Sequence, residues 1–155
     1  MTPAWQVVED DLSGAPIRAL LERHFAGMLA NSPAGSCHFL DFEGLKAPGV
    51  TFWSIHRGGE LAGCGALRMH DARHGEIKSM RTTDAFLRQG VAAHMLEHII
   101  AEAKARGAER LSLETGSGPA FEPAHHLYRR YGFEDCGPFA DYRPDPFSHF
   151  MTRML

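Results

Sequence analysis

Across residues 90–106 the apolar side chains Val91, Ala92, Met95, Leu96, Ile99, Ile100 and Ala103 recur at the spacing of one helix face, and Gly107 supplies a stop. A helix with a single apolar stripe must bury it against another layer of structure. The segments on either side, residues 76–83 and 111–115, are rich in strand formers. Strand, helix, strand in that order implies a parallel pair joined by a right-handed crossover. The chain is thereby committed to helices packed on a sheet.

The rest of the sheet is legible from its turns. Gly58 and Gly59 separate two strand-like runs, residues 50–57 and 60–69, and a two-glycine link supplies the positive φ of a tight hairpin. A second turn over residues 72–75 leads into strand 76–83 and completes an antiparallel meander. Residues 5–8 read as a short strand. Residues 16–29 read as one or two helices, with Ile17, Leu20, Leu21, Phe25, Met28 and Leu29 at helical spacing. Residues 34–49 read as a long loop with a helical turn, residues 123–131 as a helix closed by Gly132, and residues 133–136 and 147–154 as two final strands.

Composition narrows the function classes. A chain of 155 residues fits one domain with its own core. Net charge is −3 and the sixteen Lys and Arg are scattered, so the basic footprint of nucleic-acid or anionic-membrane binding is missing. No basic region followed by an apolar run opens the chain, and no apolar run reaches membrane-spanning length. Cys37, Cys64 and Cys136 are odd in number and far apart, which argues against a disulfide framework or thiolate zinc site and for a reducing cytoplasm.

The segment Arg81-Thr82-Thr83-Asp84-Ala85-Phe86-Leu87-Arg88-Gln89-Gly90-Val91-Ala92 runs from a strand through a polar turn into a helix start. A helix amino end presents unpaired N–H groups and a partial positive charge, which suits a pyrophosphate. Gly90 allows close backbone approach, and Arg88 adds a cation. Here the chain resembles the GNAT superfamily of acetyl-CoA-dependent N-acetyltransferases. That family's motif, Gln/Arg-x-x-Gly-x-Gly/Ala, is matched by Leu87 through Ala92, with Leu87 replacing the usual Gln or Arg. A second signature, Ala-x-x-x-Tyr-x-x-x-Gly-Phe, is complete from Ala124 through Tyr128 to Phe133, although Phe121 replaces a frequent Asn.

The resemblance implies a single α/β (α+β) domain over residues 1–155. Its central mixed, mostly antiparallel sheet would have about seven strands flanked by about four helices, with the parallel pair at the acyl-CoA site. It implies cofactor contacts from Met80, Arg81 and Thr82 along the pantetheine arm and from Arg88, Gln89, Gly90, Val91 and Ala92 at the pyrophosphate. It implies acetyl-CoA as co-substrate, with no metal required. An alkyl amine with a pKa near 10.4 is neutral about once in 10³ molecules at pH 7, so a base must take its proton. The resemblance points to Glu76, fourteen residues before Gly90, with Glu114 on the neighbouring strand or a water chain as alternatives. Tyr128 is the implied general acid for the departing thiolate.

In relatives the acceptor enters opposite CoA. That places Phe42 and its neighbours Phe39, Asp41 and Glu43, then Asp141 and Tyr142 with Phe139, Arg143 and Asp145, around a small-molecule amine. The apolar tail, residues 147–155, is compatible with a homodimer. Two rivals remain at this level: an acyl-CoA-binding module without turnover, and a zinc peptidase from His94-x-x-Glu97-His98. The latter three residues project away from the apolar stripe, which favours a solvated helix face.

Overall fold

The computed structural model describes residues 3–155. Seven strands form one sheet in the order β1-β2-β3-β4-β5-β7-β6. Strands β1 (Trp5–Glu9), β2 (Val50–Arg57), β3 (Glu60–Met69) and β4 (His74–Thr82) are antiparallel neighbours, and β4 pairs in parallel with β5 (Arg110–Thr115). Strand β7 (His149–Met154) lies antiparallel between β5 and β6 (Glu134–Cys136). The mixed, mostly antiparallel architecture with one parallel pair is the expected one. The apolar tail is an interior strand, and its Phe150 and Met151 are buried in the chain's own core. Strand β4 starts earlier than its composition indicates. Asp71 accepts the N–H groups of Arg73 and His74 at 2.7 and 2.8 Å, so the turn closes quickly and pairing begins at His74.

Four helices cover the two faces. Helix α1 (Ala15–Ala30) is continuous, with Pro16 in its first turn, and turns Ile17, Leu20, Leu21 and His24 inward. Helix α2 (Phe42–Leu45) is one turn, capped by the Asp41 carboxylate accepting the Gly44 N–H at 2.8 Å. These two pack with Phe52, Cys64 and Ala66 on one face. On the other face, α3 (Val91–Ala105) and α4 (Glu122–Arg130) enclose a larger core including Trp53, Met95, Leu96, Ile99, Leu111 and Tyr128. No helix among the described residues is long and apolar enough to cross a membrane.

Of the three helix-borne residues, Glu97 is exposed as expected, while His98 departs from the solvated face. His98 lies edge-on against buried Trp53, ring centroids 4.9 Å apart, and burial lowers its pKa. Glu97 accepts the Tyr131 hydroxyl at 2.8 Å. Among the described residues no three His, Cys, Asp or Glu side chains converge as a metal site.

Two features of β4 shape the site. Its pairing with β5 covers only His74, Gly75 and Glu76, opposite Arg110, Leu111 and Ser112; beyond that the strands diverge. Against β3, Lys78 and Arg81 stand opposite Ala66 and Cys64, so β4 carries an extra residue, a bulge in which Ser79 adopts φ 58°. Cys64 steadies it: its thiol, pushed up to about 12 by burial and therefore protonated, donates to the Ser79 carbonyl at 3.2 Å.

Close packing of β3 against this region requires Gly63. A Cβ there would lie 2.6 Å from the Arg81 carbonyl oxygen and 2.9 Å from Val91 Cγ1. Because the first is a backbone atom that cannot swing aside, Gly63→Ala is expected to cost about 2 kcal/mol of stability. Urea denaturation should show a lower midpoint at unchanged slope.

Candidate active site

The loop into α3 is built by two left-handed residues, Arg88 (φ 62°) and Gly90 (φ 84°). They turn the chain so that Val91 opens α3 with no side chain capping its first amides. Nothing lies within 4 Å of where a Gly90 Cβ would be, and Gln89 is folded back toward the Ala85 carbonyl at 3.3 Å. Val91 itself is core, 2% exposed, so it can serve a ligand only through its backbone. This open helix end fits a diphosphate. Among the three β4 residues named for the pantetheine arm, Arg81 and Thr82 line a groove on the α1 side with Ala19 and Arg23. Met80 instead lines the cavity where β4 and β5 part. Backbone groups of the diverging β4 segment are the ones free to meet an extended arm.

That cavity, about 80 Å³, gathers Tyr128, Glu114, Met80, Ser79, His24 and His38. Tyr128 is 5% exposed and meets Phe133 edge-on at 5.7 Å; burial pushes its phenol up, so it holds its proton. Burial also raises Glu114, to about 7. The buried Ser79 Oγ and His24 Nδ1 have no hydrogen-bond partner, and burial lowers His24 to about 4, leaving it neutral. These unpartnered polar atoms leave hydrogen-bonding capacity in the cavity wall that water or a polar ligand can meet.

Glu76 is differently placed. It is 1% exposed, and its carboxylate meets His70 Nε2 at 2.7 Å, accepts the Tyr142 hydroxyl at 2.6 Å and lies 3.5 Å from Lys78 Nζ. Burial pushes its pKa up, but the His70 hydrogen bond, the Lys78 charge and the Tyr142 hydrogen bond outweigh this and hold it below the usual range. Two carboxylates on adjacent strands are thus driven apart in acidity, and Glu114 is the one poised near neutrality.

Register explains the grouping. Arg68 stands opposite Glu76, and Glu76 opposite Ser112, so all three share a face with Lys78 and Glu114, two residues further along. This face floors a second cleft of about 540 Å³. Asp141 and Tyr142 line it as expected, as do Arg143 and Asp145. Phe42 does not: it packs edge-on to Phe25 at 5.3 Å beneath the Arg18 guanidinium, joining α2 to α1. The two cavities share His38, Phe39 and Lys78 in their walls. Sequence reasoning missed His24, His38, Arg68, His70, Lys78 and the Ser79 bulge. His24 had a visible signal, a polar residue inside the apolar face of α1; Ser79 had none, since no glycine or proline marks the bulge.

An uncapped helix end lies beside a splayed parallel strand pair, with a tyrosine and a near-neutral carboxylate in the fork, an arrangement compatible with acyl transfer. The acetyltransferase (GNAT) family model matches residues 16–133, and the chain belongs to that family. It is similar to the N-acetyltransferase YsnE of Bacillus subtilis, 56% identical over 94% of this chain and 97% of that one. A protein of Azospirillum brasilense named an IAA acetyltransferase is 40% identical over 79% of this chain and 80% of its own length. Among solved structures, an acyl-CoA N-acyltransferase of Klebsiella pneumoniae superposes with a TM-score of 0.79 at 27% identity, covering 97% of each chain. The protein is an N-acetyltransferase.

Proposed function

We propose that the enzyme takes an acetyl group from acetyl-CoA and passes it directly, in a ternary complex, to the primary amine of a small-molecule or amino-acid-like acceptor. One observation carries this reading: Tyr128 and Glu114 share the cavity at the β4–β5 fork. Bound acetyl-CoA supplies an activated thioester carbonyl. The amides of residues 88–92 would hold its diphosphate, and the β4 backbone beyond Glu76 its pantetheine arm. Glu114, ionised above about pH 7, takes the proton that an ammonium must lose before it can attack. Tyr128, kept protonated by burial, donates to the departing thiolate. Glu76 acts otherwise: paired with His70, Tyr142 and Lys78, it ties β4 to the loop carrying Tyr142 and positions the acceptor wall.

The test is acetyl transfer to a broad amine panel, read by thiol release. Tyr128→Phe is expected to lower kcat roughly 100-fold while the KM for acetyl-CoA stays within about twofold, because only proton transfer is lost. A wild-type protein that binds acetyl-CoA yet turns over no amine would instead be a binding module.

A further inference from the structure

The cleft on the α1 face contains charges that an amine alone does not explain. Glu76 is fully partnered, and Lys78 is buried beside it, donating to the Tyr142 hydroxyl at 2.9 Å. Asp145 sits at one end, accepting the Ser36 hydroxyl at 2.6 Å and the Phe147 N–H at 2.9 Å. Two further cations face the cleft, Arg68 from β3 and Arg143 from the loop before β7. Both are exposed, and neither guanidinium makes an ion pair or hydrogen bond among the described residues. Glu76 and Asp145 are already engaged within the chain, so Asp141 is the carboxylate left to attract a simple alkylammonium ion, which would also face the three cations Arg68, Arg143 and Lys78. A guanidinium instead offers a planar fork of donors that matches a carboxylate. Beside Asp141 and His70, the cleft also has an apolar and aromatic wall, Phe39 and Leu40 with the His38 ring edge-on to Tyr142 at 5.3 Å.

We propose that the acceptor is an amine that also bears a carboxylate, an amino acid or aminated aryl or alkyl acid. The guanidinium groups of Arg68 and Arg143 bind its carboxylate, and its amine is directed past His38, Phe39 and Lys78 toward Glu114. This rests on the acetyl-transfer reading above and adds the acceptor's charge. Arg68 and Arg143 are specificity residues; neither reaches the reacting atoms.

The experiment has two arms. In the first, the panel contains amino acids paired with their carboxamides and decarboxylated amines. Acids are expected to exceed their neutral partners in kcat/KM by roughly 10- to 100-fold, the worth of a charged hydrogen-bonded pair. Arg68→Ala and Arg143→Ala should each erase most of that preference through KM, leaving the neutral amines within about twofold and the melting temperature unchanged. Arg68→Lys should rescue part of it. Neutral amines equal to or better than the acids would overturn the proposal, as would variants that depress both classes alike.

The second arm needs no turnover. Phenylacetate and phenylacetamide are titrated calorimetrically into the protein saturated with CoA. Phenylacetate binding that is roughly tenfold or more tighter than that of the amide, and lost in Arg68→Ala, supports the site even where no acetyl transfer is detected. In that case the catalytic reading fails and the carboxylate site stands. An acid that binds no better than its amide overturns the site whatever the catalytic result.

Discussion

Replacing Glu114 by glutamine is expected to lower kcat by roughly 10²- to 10⁴-fold at pH 8 while making the protein more stable. Both effects come from one cause. Burial raises the Glu114 carboxyl from an ordinary 4.5 to about 7, so the folded chain holds this proton more firmly than the unfolded chain does. The associated stability is fully present below about pH 4.5 and is lost as pH rises through about 7. Above that pH the wild type carries a buried anion at a cost of up to roughly 3 kcal/mol, and glutamine does not. The melting temperature of the variant should therefore exceed that of the wild type at pH 8, and the two should converge at pH 4 to 5.

The same ionisation sets the pH profile: wild-type kcat/KM should rise through an acid limb near pH 7, and the limb should vanish in Glu114→Gln. Glu76→Gln should keep that limb, because the Glu76 carboxyl lies below the usual range in its contacts with His70, Lys78 and Tyr142. A limb that disappears with Glu76 and survives without Glu114 would reverse the assignment.

The second large effect is expected at Gly90. Gly90→Glu should weaken acetyl-CoA binding by roughly 100-fold or more, because it combines two insults. The residue sits at φ 84°, where a side chain costs roughly 1–2 kcal/mol, and the added carboxylate lies at the helix end where a diphosphate is to be held. Gly90→Ala separates the contributions. The space around a Cβ at this position is open, so alanine brings only backbone strain and a modest ligand contact. Calorimetric titration with acetyl-CoA should rank wild type, Gly90→Ala and Gly90→Glu in falling affinity, with the larger gap at the second step.

How far the sequence discloses all this depends on how local each determinant is. The α3 stripe, the Gly58-Gly59 hairpin and the parallel crossover are set by neighbours in the chain, and they fold as read. Tyr128 is picked out by a contiguous signature, and it lines the cavity at the β4–β5 fork. The surroundings of Glu76 are less legible because they depend on partners outside its own strand. His70 lies across the β3–β4 turn from Glu76, while Tyr142 reaches it from a loop sixty-six residues later. Without them, a carboxylate at the head of a strand looks like a free base. Phe42 was misplaced for a related reason. Its loop position favoured the acceptor cleft, but Phe25 and Arg18 on α1 enclose it. The Ser79 bulge left no mark, since its left-handed residue is a serine held by Cys64 from the adjacent strand.

Where coenzyme A lies on the molecule is the most direct test. In a crystal of this protein grown with CoA, electron density for the diphosphate is expected against the amides of residues 88–92. The sulfur is expected in the fork between β4 and β5, within reach of the Tyr128 hydroxyl. Density for CoA elsewhere on the molecule, or a sulfur remote from Tyr128 and Glu114, would contradict it.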